Sequence, residues 1–304
     1  MFHKKTPKVF CSTFGVHYKD MTLFPRRTSE EEQEIFSHKQ DYFDRFFEPN
    51  NLPSHFERNG RFYRVKLLWH FNGIIVFQME RRGSFKQRID FKVKKIQNDP
   101  WVDIVIDNRK ERQLIAVRKN TAVFKPHTVA AILEANISKW LKKECGLEVE
   151  IKAQYHSKVF WNLYNKYEKT HGIQSLLFKF PFPNKDWLSE DIKKWQSFGK
   201  ERNGATRIGL EAAKNEKLYF AKNKENDDLV HAFSGTGHDI VIKPVRHKVI
   251  HVAKEMNPVE QEMDERTFNK VFSSEASTSL FEKNDTAAYE RAGEFLNKCQ
   301  QYYD

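Results

Sequence analysis

Apolar and polar residues alternate most cleanly between residues 63 and 94. Tyr63, Val65, Leu67 and Trp69 are interleaved with Arg64, Lys66, Leu68 and His70. Successive side chains of a strand point to opposite faces, so this period of two predicts a strand with an apolar inner face. Asn72-Gly73 follows, a pair suited to the positive φ angles of a tight hairpin turn. Residues 74–77 return as the partner strand, Arg81-Arg82-Gly83 turns again, and Ile89, Phe91 and Val93 alternate with Arg88, Asp90, Lys92 and Lys94. Two more strands, 101–106 and 113–117, are joined by the polar turn 107–111. Together they predict an antiparallel meander of about five strands over 61–118. The alternation places Arg64, Lys66, Arg88, Lys92 and Lys94 on one outward face, with Arg81 and Arg82 at a turn.

The flanking pattern predicts other elements. Residues 8–18 read as a first strand. Thr28-Ser-Glu-Glu31 is a capping box opening a helix to about residue 47. Pro126 suits the first position of a helix whose buried stripe is Val129, Ile132, Leu133, Ile137, Trp140 and Leu141, with Gly146 as its stop. Beyond it the pattern predicts strands at 147–155, 173–180 and 239–244, and helices at 157–169, 188–199, 205–215 and 286–302. The fold class is therefore α+β. An N-terminal antiparallel β-meander domain with one helix, residues 1–124, precedes a mixed α/β domain with a C-terminal helix, residues 125–304.

Composition narrows the class. The 304 residues are 39% apolar, and aromatics make up 14%, enough large side chains to build cores and to argue against disorder. No apolar run approaches the ~18 residues of a membrane span. Cys11, Cys145 and Cys299 are odd in number and far apart, which excludes a disulfide framework and a CxxC zinc site. The first residues lack the apolar core of a secretion signal, so the expected location is the cytoplasm.

Charge changes the picture more. The net charge is +11, and it is unevenly spread. Residues 61–95 hold ten basic and two acidic groups, whereas 28–60 carry a net −5 and 255–304 a net −6. Concentrating one sign creates a local field that the total does not report. Glu80 and Asp90 are too few to pair the ten cations of the first run. A second basic run holds Lys193, Lys194, Lys200, Arg202 and Arg207, and a third holds Lys243, Arg246 and Lys248. Neutralising phosphates displaces counterions, so such runs suit a polyanion. Phe62, Phe85 and Phe91 lie among the cations and are expected to fill the core. No helix-turn-helix, zinc-finger or RNA-recognition signature is present, so contact with the backbone rather than base reading is expected.

Two stretches carry a resemblance, Val123-Phe-Lys-Pro-His-Thr-Val-Ala-Ala-Ile-Leu133 and Asp239-Ile-Val-Ile-Lys-Pro-Val-Arg-His-Lys-Val-Ile-His-Val-Ala-Lys254. With the order of β and mixed regions, they resemble the RexA-type exclusion proteins of lambdoid phages. The resemblance implies a cytoplasmic DNA-binding homodimer in anti-phage defence, paired with a membrane effector. It assigns no site residue.

Two alternatives stand beside DNA binding. A Mg²⁺-dependent nuclease needs carboxylates for the metal and a lysine beside the attacking water. Asp103 or Asp107, with Glu150 and Lys152 in Glu-x-Lys spacing, supply those groups, although the helix at 126–145 interrupts the usual hairpin arrangement. A protein-interaction scaffold using the basic face is the other. His247, His251 and Glu255 do not make a metal site on an extended segment, Gly235-Thr-Gly237 is too short for a phosphate loop, and Cys11 with His17 reads as a buried strand cysteine. The expectation is a non-enzymatic binder of double-stranded DNA without metal or small-molecule cofactor.

Overall fold

The computed structural model describes residues 8–18, 30–89, 92–110, 112–119, 124–179, 207–255, 260–264, 266–267, 271 and 286–300. The first half contains β1 (Lys8–Tyr18), α1 (Glu30–Ser37), α2 (Lys39–Phe46), β2 (His55–Arg58), β3 (Arg61–Phe71), β4 (Ile74–Arg81), β5 (Ser84–Ile89), β6 (Lys92–Gln97), β7 (Trp101–Asp107) and β8 (Leu114–Arg118). The second half continues with α3 (Pro126–Cys145), β9 (Leu147–Ala153), α4 (Ser157–Thr170), β10 (Ile173–Lys179), β11 (Arg207–Glu211), α5 (Lys224–Gly235), β12 (Ile240–Pro244), β13 (Ile250–His251), β14 (Glu260–Glu262) and α6 (Thr286–Gln300). The mixed α+β class expected from the pattern is what forms.

The main sheet runs β14-β1-β8-β7-β4-β3-β2, all antiparallel, and β9 shares with β14 the edge of β1 that faces away from β8. Helices pack on both faces of the sheet. On one, α2 and α3 bring Phe43, Phe46, Ile132, Leu133 and Ile137 onto Phe14, Phe77, Ile104 and Ile115. The Phe14 and Phe43 rings stack at 4.6 Å. On the other, Ala288, Ala292, Phe295 and Leu296 of α6 meet Val9, Cys11, Ile74, Val76 and Ala116. The small residues at 288 and 292 share one helix face, which lets α6 approach the sheet closely. The unpaired edge of β9 is covered by α3: Ser138 Oγ accepts from Val149 N at 3.0 Å and Glu134 accepts from Ile151 N at 3.0 Å.

One extra residue changes the faces of β3. Leu67 lies opposite Phe77, but Trp69 lies opposite Val76, so Leu68 is a bulge. Tyr63, Val65 and Leu67 face the α2–α3 core as their alternation predicts. Trp69, expected with them, is instead carried to the α6 side beside Ile74 and Val76. The helix expected over 28–47 is likewise divided. Among the described residues α1 ends at Ser37, His38 is non-helical (φ −101°, ψ 19°), and α2 restarts at Lys39. The break turns α2 so that Phe43 and Phe46 are fully buried in the core, whereas Ile35 and Phe36 of α1 pack on it only partly buried. The capping box at Thr28 lies outside the described residues. Pro126 and Gly146 bound α3 as expected, Gly146 in the left-handed region at φ 75°.

The second sheet runs β11-β10-β12-β13. Phe160, Trp161 and Tyr164 of α4 and Val230 and Phe233 of α5 pack on Leu176, Phe178, Ile240 and Ile242. The helix expected at 205–215 is corrected to strand β11 over 207–211. Half-buried Ile208 and Leu210 alternate there with exposed Arg207, Gly209 and Glu211, a period of two. The pattern did not predict α5; its start is marked by Asn223, whose side chain accepts from Asn226 N at 2.8 Å. The helix expected at 188–199 lies outside the described residues. The main sheet draws on both sides of residue 124, since α3, β9, β14 and α6 all pack on it.

Candidate nucleic-acid interface

The expected five-strand meander is interrupted. β4 pairs directly with β7, Glu80 opposite Trp101, and the chain between them leaves the sheet as a separate two-stranded ribbon, β5–β6. The single strand expected over 88–94 is therefore the far end of a hairpin. Its register sets Ser84 opposite Gln97, Lys86 opposite Lys95, Arg88 opposite Val93 and Ile89 opposite Lys92. Directly opposed positions share a side of a ribbon. By that parity position 88 falls on one side and positions 92 and 94 on the other, which corrects their expected common face.

Residues 84–97 contain Lys86, Arg88, Lys92, Lys94 and Lys95 against the single acid Asp90. A lone two-stranded ribbon is marginal in water, and like charges directly opposite one another destabilise it further. Lys92 and Val93 are exposed, Val93 at 66%.

The ribbon is fastened at its root. Asp99 accepts from Gly83 N at 3.0 Å and from Gln97 Nε2 at 2.8 Å, while Asn98 N donates to Gly83 O at 3.0 Å. These hydrogen bonds, the Gly83 amide first, hold the Asp99 carboxyl below its ordinary range, with Arg64 and Arg82 adding to the effect. Gly83 is required by close approach: a Cβ would sit 2.6 Å from Asn98 O. Arg81 N continues the β4–β7 pairing by donating to Pro100 O at 3.0 Å.

Arg64 and Lys66 lie on the side of β3 turned from the α2–α3 core, as expected. Arg64 is ion-paired with Glu80 across the strands at 2.8 Å. Lys66 is exposed and opposite Gln78. Beside Arg64, the residues Ser54, His55, Phe62, Arg64 and Arg82 line an open cleft of about 440 Å³. Phe62, expected in the core, is 57% exposed and meets the His55 ring edge-on at 5.2 Å. Strict alternation already groups Phe62 with Arg64 and Lys66, so its position was readable. The hairpin that carries it was missed, although Asn59-Gly60 is a tight-turn pair; both residues have positive φ, 51° and 71°.

The third basic run lies on the other sheet. Lys243 is an exposed position of β12, and Arg246, His247 and Lys248 form the turn after it, with Arg246 at φ 54°. Val245 N donates to Gly172 O, bringing this turn to the end of α4. There His247 packs on Tyr167 and His171, with ring centroids at 5.2 and 4.7 Å. Exposed Lys166 and Lys169 of α4 join the same neighbourhood, a contribution that spacing along the chain does not reveal. Of the second run, Arg207 is exposed at the start of β11, opposite Lys179. Lys193, Lys194, Lys200 and Arg202 lie outside the described residues, as do the side chains of Phe85, Arg88, Phe91 and Lys94.

The groups considered for a nuclease are not brought together. Asp107 is buried and bound by Arg109, with contacts of 2.6 and 2.8 Å. Asp103, 1% exposed, accepts from Gln78 and Arg118. Glu150 pairs with Lys152 at 3.0 Å. Pairing places Asp107, Leu114, Thr13 and Lys152 in one rank across four strands, so Asp107 and Lys152 are three strand spacings, about 14 Å, apart. His251 bonds Asp239 at 2.6 Å, and Cys11 is buried under α6. Among the described residues no group of three or more His, Cys, Asp or Glu is placed to hold a metal ion, and no helix is long and apolar enough to cross a membrane. The chain matches no protein-family model, and no curated protein sequence matches it.

Proposed function

We propose that the chain binds double-stranded DNA without reading its sequence and serves as a DNA sensor in phage exclusion. The observation that carries the binding is the β5–β6 ribbon, a lone hairpin with five cations, one acid and a like-charged pair set directly opposite each other. Its six-residue strands span about 20 Å, and the major groove, about 12 Å wide, admits a two-stranded ribbon. Arg81 and Arg82 lie at its root, and Arg64 beside them. Arg246, Lys248, Lys166 and Lys169 offer a second surface for the backbone. The defence role, self-association into a homodimer and a membrane effector as recipient of the signal rest on the resemblance to RexA-type proteins.

The test is duplex binding by fluorescence anisotropy over a range of salt. The wild-type protein should show log Kd rising linearly with log salt. Replacing Lys86, Lys92, Lys94 and Lys95 by Gln should weaken binding and lower that slope by about 0.9 for each phosphate contact removed. An unchanged slope in a folded variant rejects the ribbon. An absence of duplex binding at low salt rejects the function in favour of a protein-interaction scaffold.

A further inference from the structure

We infer that the cleft at the ribbon root holds one unpaired nucleotide of the bound DNA, so that the protein prefers duplexes with single-stranded ends. This rests on the DNA-binding reading and adds a site to it.

The cleft is built by the β2–β3 hairpin and the end of β4. Phe62 presents an aromatic ring that is more than half exposed, on the face turned from the core. His55 stands edge-on to it at 5.2 Å, and Ser54 Oγ engages His55 Nδ1 at 3.2 Å, fixing the orientation of the imidazole. On the other side, Arg64 is anchored to Glu80 through Nη1. Arg82 is exposed, and Asp99 at the root already has both oxygens engaged by Gly83 and Gln97. The cleft therefore offers a flat apolar ring, a heteroaromatic ring with one nitrogen fixed, and two guanidinium groups.

That set matches a planar base joined to a phosphate. Bases stack on aromatic side chains whatever their sequence, and guanidinium forks suit phosphate oxygens. A space of about 440 Å³ lies within the ~300–1,000 Å³ usual for small-ligand sites. Inside a paired duplex the base faces are covered by their neighbours, and a terminal pair offers only its outer face, so a ring that enters the cleft beside Phe62 comes from an unpaired nucleotide. The cleft is open rather than enclosed, and Arg82 is two residues from the first ribbon strand. A polynucleotide lying on the ribbon thus passes the cleft, which favours a chain-linked nucleotide over a free one.

The experiment compares a blunt 20-base-pair duplex with the same duplex carrying a three-nucleotide overhang that contains 2-aminopurine. Wild-type protein should bind the overhang form roughly ten-fold tighter, as expected for one stacked base, and should quench the 2-aminopurine. In Phe62→Ala the two duplexes should bind equally, and Phe62→Tyr should restore the preference. Equal binding of both duplexes by the wild-type protein overturns the cleft assignment while leaving duplex binding intact. A preference that survives Phe62→Ala also overturns it. Failure to bind either duplex at low salt overturns the DNA-binding reading and the cleft with it. Equal quenching and affinity for the free 2-aminopurine nucleotide reassign the cleft to a mononucleotide and overturn the DNA-end preference.

Discussion

Asp107 is wholly buried, and its charge is held by a single neighbour two residues away. The Arg109 guanidinium donates to both of its oxygens, and Arg109 Nη1 reaches Tyr289 Oη on α6 at 3.1 Å. Those bonds to Asp107 raise the already high pKa of the arginine, against the effect of its own burial. The pair fastens the β7–β8 turn to the C-terminal helix. Gly73, at φ 75°, makes room for it, since a Cβ there would lie 3.1 Å from Arg109 Cγ. Removing the cation leaves a buried carboxylate uncompensated, so Arg109→Ala should destabilise the fold by about 3–5 kcal/mol in urea unfolding. A loss below about 1 kcal/mol, the range of a surface pair, would show that the carboxylate is solvated. The sequence marked Asp103 and Asp107 as candidate metal ligands and gave no sign that they are structural carboxylates. Arg118 reaches Asp103 only because Ile104 lies opposite Val117, and such cross-strand partners depend on register rather than on spacing.

Elements were legible where period and punctuation agreed. β1, β4, β7, β8 and α3 form close to where alternation, Asn72-Gly73, Pro126 and Gly146 place them. β3 was legible as a strand but not in its faces, because the bulge at Leu68, marked only by an apolar residue in the polar register, reverses the parity of Trp69. The ribbon was misread for a related reason. A run of alternating residues looks the same whether it is one strand or the two arms of a hairpin, and only pairing decides. What distinguishes the ribbon is its root, where Asp99 joins Gly83 to Gln97. Because the folded-state pKa of Asp99 is depressed, its contribution is complete above the ordinary carboxylate pKa of ~3.9 and is lost as pH falls through the lower folded value. The Gly83 amide signal should therefore titrate in NMR spectra with a midpoint below ~3.9, and Asp99→Asn should abolish that titration. A midpoint at or above the ordinary value would mean that the root is not held by this carboxylate.

At the scale of the molecule, the second sheet with its own core meets the first sheet through a small set of contacts among the described residues. Gln154 N donates to Cys11 O, Tyr155 N to Ser234 O at 3.1 Å, and Thr13 Oγ1 to Thr236 O at 2.7 Å. The turn at 234–238 thus docks on the end of β9 and on β1. Gly237 is the tightest point: its φ is 69°, and a Cβ would lie 2.6 Å from Ala153 O and 2.8 Å from Lys152 Cβ. Neither neighbour is the loose end of a side chain, so relief requires the turn to move off the first sheet. The proposed DNA surfaces lie on both sides of this joint, the ribbon with the first core and the Arg246–Lys248 turn with the second, so their relative placement depends on it. Gly237→Ala should cost more than about 1 kcal/mol, the penalty exceeding the ordinary entropic gain of such a change because φ is positive. The loss should be uneven. In hydrogen exchange read by mass spectrometry, peptides from β10 and β12 should lose protection before those from β4 and β7, since the second core is the smaller and gives up its docking contacts. Uniform loss across both sheets would instead mean that the two sheets unfold as one cooperative unit, and the two proposed surfaces would then keep a fixed relative placement.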